Sequence, residues 1–346
     1  MLRQRLRETQ AQFDQIKLII GGCFRAREQV PPHSLANGES FGNVDIAYWK
    51  AYDHCAAVVR CYATFERFVV NAVDEWVRWS LTYHPAPFLR SEAVRARYES
   101  GLAEIFRRRT TTRFASLDRA RLAQGVTLLY ADPLPASPSL PLDPFFAAQP
   151  NLTLSHVVAL FSAIGLGDPQ KWVADCVALQ ELCAEEGFGV EEELKQLVER
   201  RNEAAHGNGL PVEILGTNDL LARVELLSKL CMCLCDFILF GICRAELGDQ
   251  LERGAMGKVT HVWPTASAFE LTVTSSTIYV DLPVAMFGRS VLVLSSIQSI
   301  RVEGSPTLGF SDGEGTALGI KMPYLPVEGM QMIDTRSVRG FDTLTA

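Results

Sequence analysis

Gly189-Val190-Glu191-Glu192-Glu193-Leu194-Lys195-Gln196-Leu197-Val198-Glu199-Arg200-Arg201-Asn202-Glu203-Ala204-Ala205-His206-Gly207 reads as a helix. Acids crowd its first turn, good helix formers fill its interior, and Gly207 is placed to end it. Leu194, Leu197, Val198 and Ala205 mark one apolar stripe at helical spacing. Arg201 falls near the middle of that stripe, where leucine is the ordinary choice. At about 100° per residue, Asn202 and His206 lie four apart on one flank, with His206 roughly 140° from Arg201. A guanidinium on a packing face is costly unless it is paired or used.

The chain has 346 residues, enough for a sizeable core and two domains. No uninterrupted apolar run reaches the ~18 residues of a membrane helix. The nearest, Leu230 to Cys243, contains Asp236 and reads as a buried helix. Met1-Leu2-Arg3-Gln4-Arg5 leads into an amphipathic segment rather than the apolar core of a signal peptide, so a cytoplasmic location is expected. Nine scattered cysteines suit reduced thiols, and Cys231, Cys233 and Cys235, two apart on a helix, point away from one another and read as small core residues.

A formal charge of −7 argues against a generally basic nucleic-acid binder. Yet Arg90 to Arg121 holds nine arginines against four acids, and local patches set the contacts to phosphate. Arg107, Arg108, Arg109 and Arg113 are the candidates there. The same residues equally suit a solvated helix face followed by an arginine-rich loop.

In order, residues 1–28 form an amphipathic helix packing through Leu6, Phe13, Ile16 and Ile19–Ile20, and Val30–Asn43 is a loop. A long helix spans about Val44 to Tyr83, where Phe65 and Phe68–Val69 make a stripe that carries Glu66 along. Pro85-Ala86-Pro87 breaks it, residues 91–109 are helical again, and Thr110–Pro150 is irregular. Asn151-Leu152-Thr153 opens a helix that Gly165-Leu166-Gly167 closes, and a short helix at 169–185 precedes the Arg201 helix. Thr217-Asn218-Asp219 caps a last helix to about Leu251. Gly254-Ala255-Met256-Gly257 is a linker. Beyond it, Val259–Trp263, Ala268–Val273, Thr277–Leu282, Ser290–Val302 and Ala317–Met322 read as strands between Pro, Gly, Ser and Asp turns. The expectation is an α+β chain: an all-α bundle over 1–253, with an insertion at about 110–150, then a small β-sandwich or barrel over 258–346.

Arg201-Asn202, three residues and His206, late in a helical region, resemble the HEPN superfamily (higher eukaryotes and prokaryotes nucleotide-binding). Glu199-Arg200-Arg201-Asn202-Glu203-Ala204-Ala205-His206-Gly207 is most similar to its RiboL-PSP-type branch. The aromatic-Glu pattern at Tyr62–Val70 and the Asn151-Leu152 to Gly165-Leu166 segment extend the likeness over roughly residues 45–245. The resemblance implies that the Glu66 helix packs against the Arg201 helix and that Glu66 holds Arg201. On the residues alone, Glu66 equally suits an exposed carboxylate paired with a neighbouring arginine. It also implies that two copies share a cleft, that Asn202 fixes the imidazole or the phosphate, and that Arg200 contacts the RNA backbone.

RNA can be cut without a metal because its own 2′-hydroxyl is the nucleophile. The protein must move protons to and from oxygen, for which His206 is suited, and stabilise a dianionic phosphorane, for which the Arg201 fork is suited. The resemblance implies an endoribonuclease of prokaryotic RNA restriction, a toxin or phage-defence effector. Its partners are RNA, a second copy and an antitoxin or defence component met through the β domain; no cofactor, metal or membrane is expected. A blander reading has His206 capping the helix C-terminus and Arg201 paired with a carboxylate such as Glu66. Two alternatives of other classes are a non-catalytic HEPN scaffold, binding nucleotides or dimerising while the β domain recruits a partner, and a substrate domain for a nucleotidyltransferase.

Overall fold

The computed structural model describes residues 1–29, 45–108, 110–147, 151–206, 213–248, 256–274, 277–288, 290–311 and 315–345, with the side chains of Thr112, Arg113 and His206 outside that description. The loop expected at Val30–Asn43, the turn after His206 and the linker residues Gly254-Ala255 also lie outside it.

Helix α1 (Leu2–Glu28) packs on α2 (Ile46–Tyr83), a helix of 38 residues. The buried face of α1 is Leu2, Leu6, Thr9, Phe13, Ile16 and Ile20. Ile19, expected on that face, is 62% exposed, because it lies about 100° round the helix from Ile20 and Ile16 already fills the seam. Asp45 caps α2 by accepting from the Ala47 N–H, and His84 ends it. Pro85 then sits in the first turn of α3 (Pro85–Arg90), where the missing N–H costs nothing. Ser91 caps α4 (Glu92–Arg107).

The stretch 110–150 departs from the irregular expectation. It contains α5 (Thr112–Ala115), α6 (Arg119–Leu129) and α7 (Asp143–Ala147). Asp118 caps α6 with its side chain, a local signal that the proline-rich neighbourhood outweighed in the sequence. Helices α8 (Leu154–Ala163), α9 (Gln170–Ala174), α10 (Val177–Glu186), α11 (Val190–His206) and α12 (Thr217–Leu247) follow. The single helix expected at 169–185 is thus two, α9 and α10. On α11 Leu194, Leu197 and Val198 are buried, whereas Ala205 is exposed in the last turn. Helix α12 is long and apolar enough to cross a bilayer, but 78% of its most apolar window is buried in the protein, as in a core helix.

The chain divides into two compact units. One is Leu2–Gln170 with Ala178–Met232; the other is Met1, Lys171–Val177 and Cys233–Ala346. In the second unit Trp172 stacks on Phe240 at 5.0 Å between ring centroids, and Phe240 lies 5.5 Å from Phe287. Its strands are β1 (Gly257–Trp263), β2 (Ala268–Val273), β3 (Ile278–Tyr279), β4 (Pro283–Gly288), β5 (Val291–Ser296), β6 (Ser299–Val302), β7 (Ser305–Thr307), β8 (Gly309–Phe310), β9 (Ala317–Lys321) and β10 (Gln331–Asp334). Eight form one antiparallel sheet, ordered β5-β4-β10-β1-β2-β9-β6-β7, while β3 and β8 pair separately. A short helix, α13 (Phe341–Thr345), follows. Phe269, Leu271, Met286, Ile300, Ile320 and Met332 lead its core. Strands β4, β7, β8 and β10 were not foreseen, and the single run expected at Ser290–Val302 is two strands, β5 and β6. The run Pro283-Val284-Ala285-Met286-Phe287 is apolar without alternation and starts at a proline, and β10 is only four residues long.

Gly101 on α4 abuts the backbone of α7, and an added Cβ would fall onto the Pro144 carbonyl oxygen. Alanine would raise helix propensity by about 1 kcal/mol. The clash is with backbone, which cannot swing aside, so overpacking wins. Gly101→Ala is expected to lower the unfolding free energy by about 1–3 kcal/mol, read as a lower urea midpoint; an unchanged or raised midpoint would refute the close approach.

Candidate active site

Three elements of the first unit meet around Arg201: α2, the start of α8, and α11. Thr153 is the reason α8 starts where it does. Its hydroxyl accepts from the His156 N–H at 3.4 Å, while His156 Nδ1 accepts from the Thr153 N–H at 3.5 Å, a reciprocal cap. The cap stops the helix and leaves Asn151-Leu152 ahead of it as non-helical chain. Leu152 is buried, so its N–H needs an acceptor, and the Tyr62 hydroxyl of α2 accepts it at 2.5 Å.

Tyr62 is 1% exposed. Burial first pushes its hydroxyl pKa up to about 12; the Leu152 N–H and Arg201 pull it down, and Glu66 pushes it up. The Arg201 guanidinium lies over the Tyr62 ring, 5.3 Å from its centroid. Its Nη1 donates to Asn202 Oδ1 at 2.9 Å and to Asn151 Oδ1 at 3.4 Å. Among the described residues, Nε and Nη2 have no acceptor, and these two atoms form one edge of the fork.

The α2–α11 packing implied by the family resemblance is therefore present, and Arg201 rests on it. Glu66, half-buried one turn beyond Tyr62, acts on the same phenol as Arg201 with opposite sign. Asn202 engages Arg201 through its side-chain oxygen. His206 is the last residue of α11. Arg200, 100° round the helix from Arg201, faces elsewhere: its guanidinium donates to Gln196 at 3.0 Å and to Glu213 at 2.5 Å. Arg107 and Arg108 both bind Glu104, the former through two hydrogen bonds of 2.8 and 2.7 Å. Arg109 and the Arg113 side chain lie outside the described residues. Tyr62 and Asn151 lie in stretches that carried the family likeness, but neither was read as a site residue. Tyr62 stands four before Glu66 on one helix face, and Asn151 stands two before a capping Thr; those spacings are the available signals.

A second half-buried arginine shows what an ordinary structural pairing looks like. Arg223 of α12 lies over the Phe188 ring at 5.2 Å, as Arg201 does over Tyr62. Arg223, however, is 2.9 Å from the buried Glu193 carboxylate. Among the described residues, the hydrogen-bond acceptors of Arg201 are neutral amide oxygens rather than a carboxylate. Among the described residues, no three of His, Cys, Asp and Glu come together to hold a metal ion.

The class of protein defined by this helix pairing and this Arg-Asn-x3-His helix is that of the HEPN domains. The model of the RiboL-PSP-HEPN domain matches residues 34–239, more than half of the chain, and the chain belongs to that family, whose relatives are commonly RNases or nucleotide-binding proteins. No curated protein and no solved structure matches the chain significantly.

Behind the motif helix, buried His54 of α2 accepts the Leu215 N–H at Nδ1, 3.2 Å away. Burial first, then the Arg200 charge, hold its pKa below the usual histidine value, against the opposing pull of Glu203 and Glu213. A histidine kept neutral by folding gives stability that is full above about pH 6.5, the unfolded value, and declines as pH falls below it. Between pH 7 and 5 the melting temperature should therefore fall more steeply for wild type than for His54→Asn, which keeps an acceptor but cannot titrate. Parallel slopes would remove His54 from the acid response.

Proposed function

We propose that this chain is a metal-independent endoribonuclease of the HEPN type. The observation that carries the reading is the state of Arg201: held through one nitrogen and one ring face by neutral partners, with an Nε–Nη2 edge that meets no acceptor among the described residues. A guanidinium edge of this kind donates two parallel hydrogen bonds to a phosphate. In the proposed reaction the RNA 2′-hydroxyl attacks the adjacent phosphorus, and the bond to the leaving 5′-oxygen breaks. The product ends are a 2′,3′-cyclic phosphate and a 5′-hydroxyl. His206 is the general acid/base that shuttles these protons, Arg201 stabilises the phosphorane, and Asn202 orients the guanidinium through Oδ1.

The proposed working form is a homodimer acting in RNA restriction in the cytoplasm, as a toxin or defence effector, with the β unit as the contact for a regulating partner. One feature of α2 supports the dimer. Tyr48, Tyr52 and Val59 share the helix face of Tyr62 and Glu66, and they are 62, 75 and 37% exposed. An apolar stripe running up to the Arg201 cluster is a surface on which a second copy can seat.

The test is cleavage of purified total RNA and tRNA in excess EDTA. Wild type should leave 2′,3′-cyclic phosphate ends; His206→Ala should lose about 10²–10⁴-fold in rate and Arg201→Ala about 10²–10³-fold. Cleavage undiminished in His206→Ala would sink the assignment, and a folded wild type that never cleaves would move the protein to a non-catalytic binding role. Tyr52→Glu is expected to shift the protein toward monomer in analytical ultracentrifugation, with cleavage falling in parallel. A variant that stays dimeric and active would remove the α2 stripe from the interface.

A further inference from the structure

The groups that hold Arg201 come from three separate elements, and two of them lie outside the signature helix. Tyr62 does two things at once. Its ring lies under the guanidinium at 5.3 Å, and its hydroxyl accepts the buried Leu152 N–H at 2.5 Å. The second contact pins the chain just ahead of the Thr153 cap, which brings Asn151 Oδ1 to 3.4 Å from Arg201 Nη1. Asn202 shares that nitrogen at 2.9 Å. With Nη1 and one ring face fixed, the direction of the Nε–Nη2 edge is fixed too, because a guanidinium is planar.

We infer that Tyr62 and Asn151 are positioning residues for the Arg201 fork, aiming its Nε–Nη2 edge at the scissile phosphodiester. The inference rests on the nuclease reading above. Neither residue touches the reacting atoms, and both act through Arg201. Neutral partners suit this task. A carboxylate on the same nitrogen would cancel the charge that the phosphorane needs, whereas an amide oxygen orients the donor and leaves the charge in place.

The experiment is a double-mutant cycle on single-turnover RNA cleavage at saturating protein, with rates normalised to the folded fraction from urea unfolding. Asn151→Ala and Tyr62→Phe are each made in wild type and in Arg201→Lys, which keeps a charge but has no two-donor edge. The expected result is a roughly 10–100-fold loss from each in wild type. In the Arg201→Lys background the loss should be about 2-fold or less, since residues acting through one group are not additive. Asn151→Asp keeps an acceptor oxygen but brings a carboxylate to the same nitrogen, so it should recover little of the rate lost in Asn151→Ala; recovery to the wild-type rate would overturn the part given to a neutral anchor. If Tyr62→Phe does not fold, the Asn151 arm carries the test alone. Losses of equal size in both backgrounds, with an active wild type, would overturn the positioning role and leave the nuclease reading standing. A wild type that does not cleave would overturn the nuclease reading and this inference with it.

Discussion

A half-buried guanidinium with neutral anchors is the constraint around which the helical unit is arranged. Taking a positive charge out of water costs several kcal/mol unless something compensates. Arg223 shows the usual compensation, a buried carboxylate at 2.9 Å. Arg201 is treated differently: among the described residues, its contacts are a phenol ring beneath it and two amide oxygens on one nitrogen. A cation–π contact of this sort contributes about 0.5–2 kcal/mol, and a hydrogen bond to a charged donor about 1.5–3 kcal/mol. Those magnitudes are enough to hold the side chain in place.

The rest of the unit is what makes such an arrangement possible. Helix α2 is continuous for 38 residues, so Tyr62 and Glu66 sit on a rigid rod whose opposite side is closed by α1. The Thr153–His156 cap ends α8 at a defined residue, and Trp76 of α2 ties down its far end by donating to the Ile164 carbonyl at 2.9 Å. Both ends of α8 are thus referenced to α2, and Asn151 inherits that precision. On the far flank of α11, Arg200 is held by Gln196 and Glu213. Two consecutive arginines therefore serve different ends for a simple reason: neighbours on a helix point about 100° apart.

How much of this could be read in the sequence depended on the range of the interaction. The long helices were legible because their apolar periodicity and their caps are local, as in Leu2 to Ile20 of α1 or the acidic first turn of α11. Arg201 was legible as an anomaly, a charge inside an apolar stripe. Its partners were not, since Tyr62 and Asn151 are 139 and 50 residues away along the chain, and a tyrosine in an aromatic-rich helix looks like ordinary core. The helices at 112–147 were hidden by prolines that surround them without entering their interiors, apart from Pro144 in the first turn of α7. In the β unit the order of strands was beyond reach. Strand β10 joins β1 to β4 from far along the chain, and four residues carry too little pattern to announce it.

The continuity of α11 bears on how the proposed chemistry is divided between chains. The helix is unbroken from Val190 to His206, so Arg201 and His206 are separated by about 7.5 Å along the axis and roughly 140° around it. A phosphorane needs proton transfer and charge stabilisation within a few ångströms of one phosphorus. Ala205, in the same last turn, is exposed. The Arg201 edge that meets no acceptor among the described residues, the place of His206 at the helix end and the exposed tyrosines of α2 are what support the proposal of a second copy across this face, with the histidine of one chain opposite the arginine of the other.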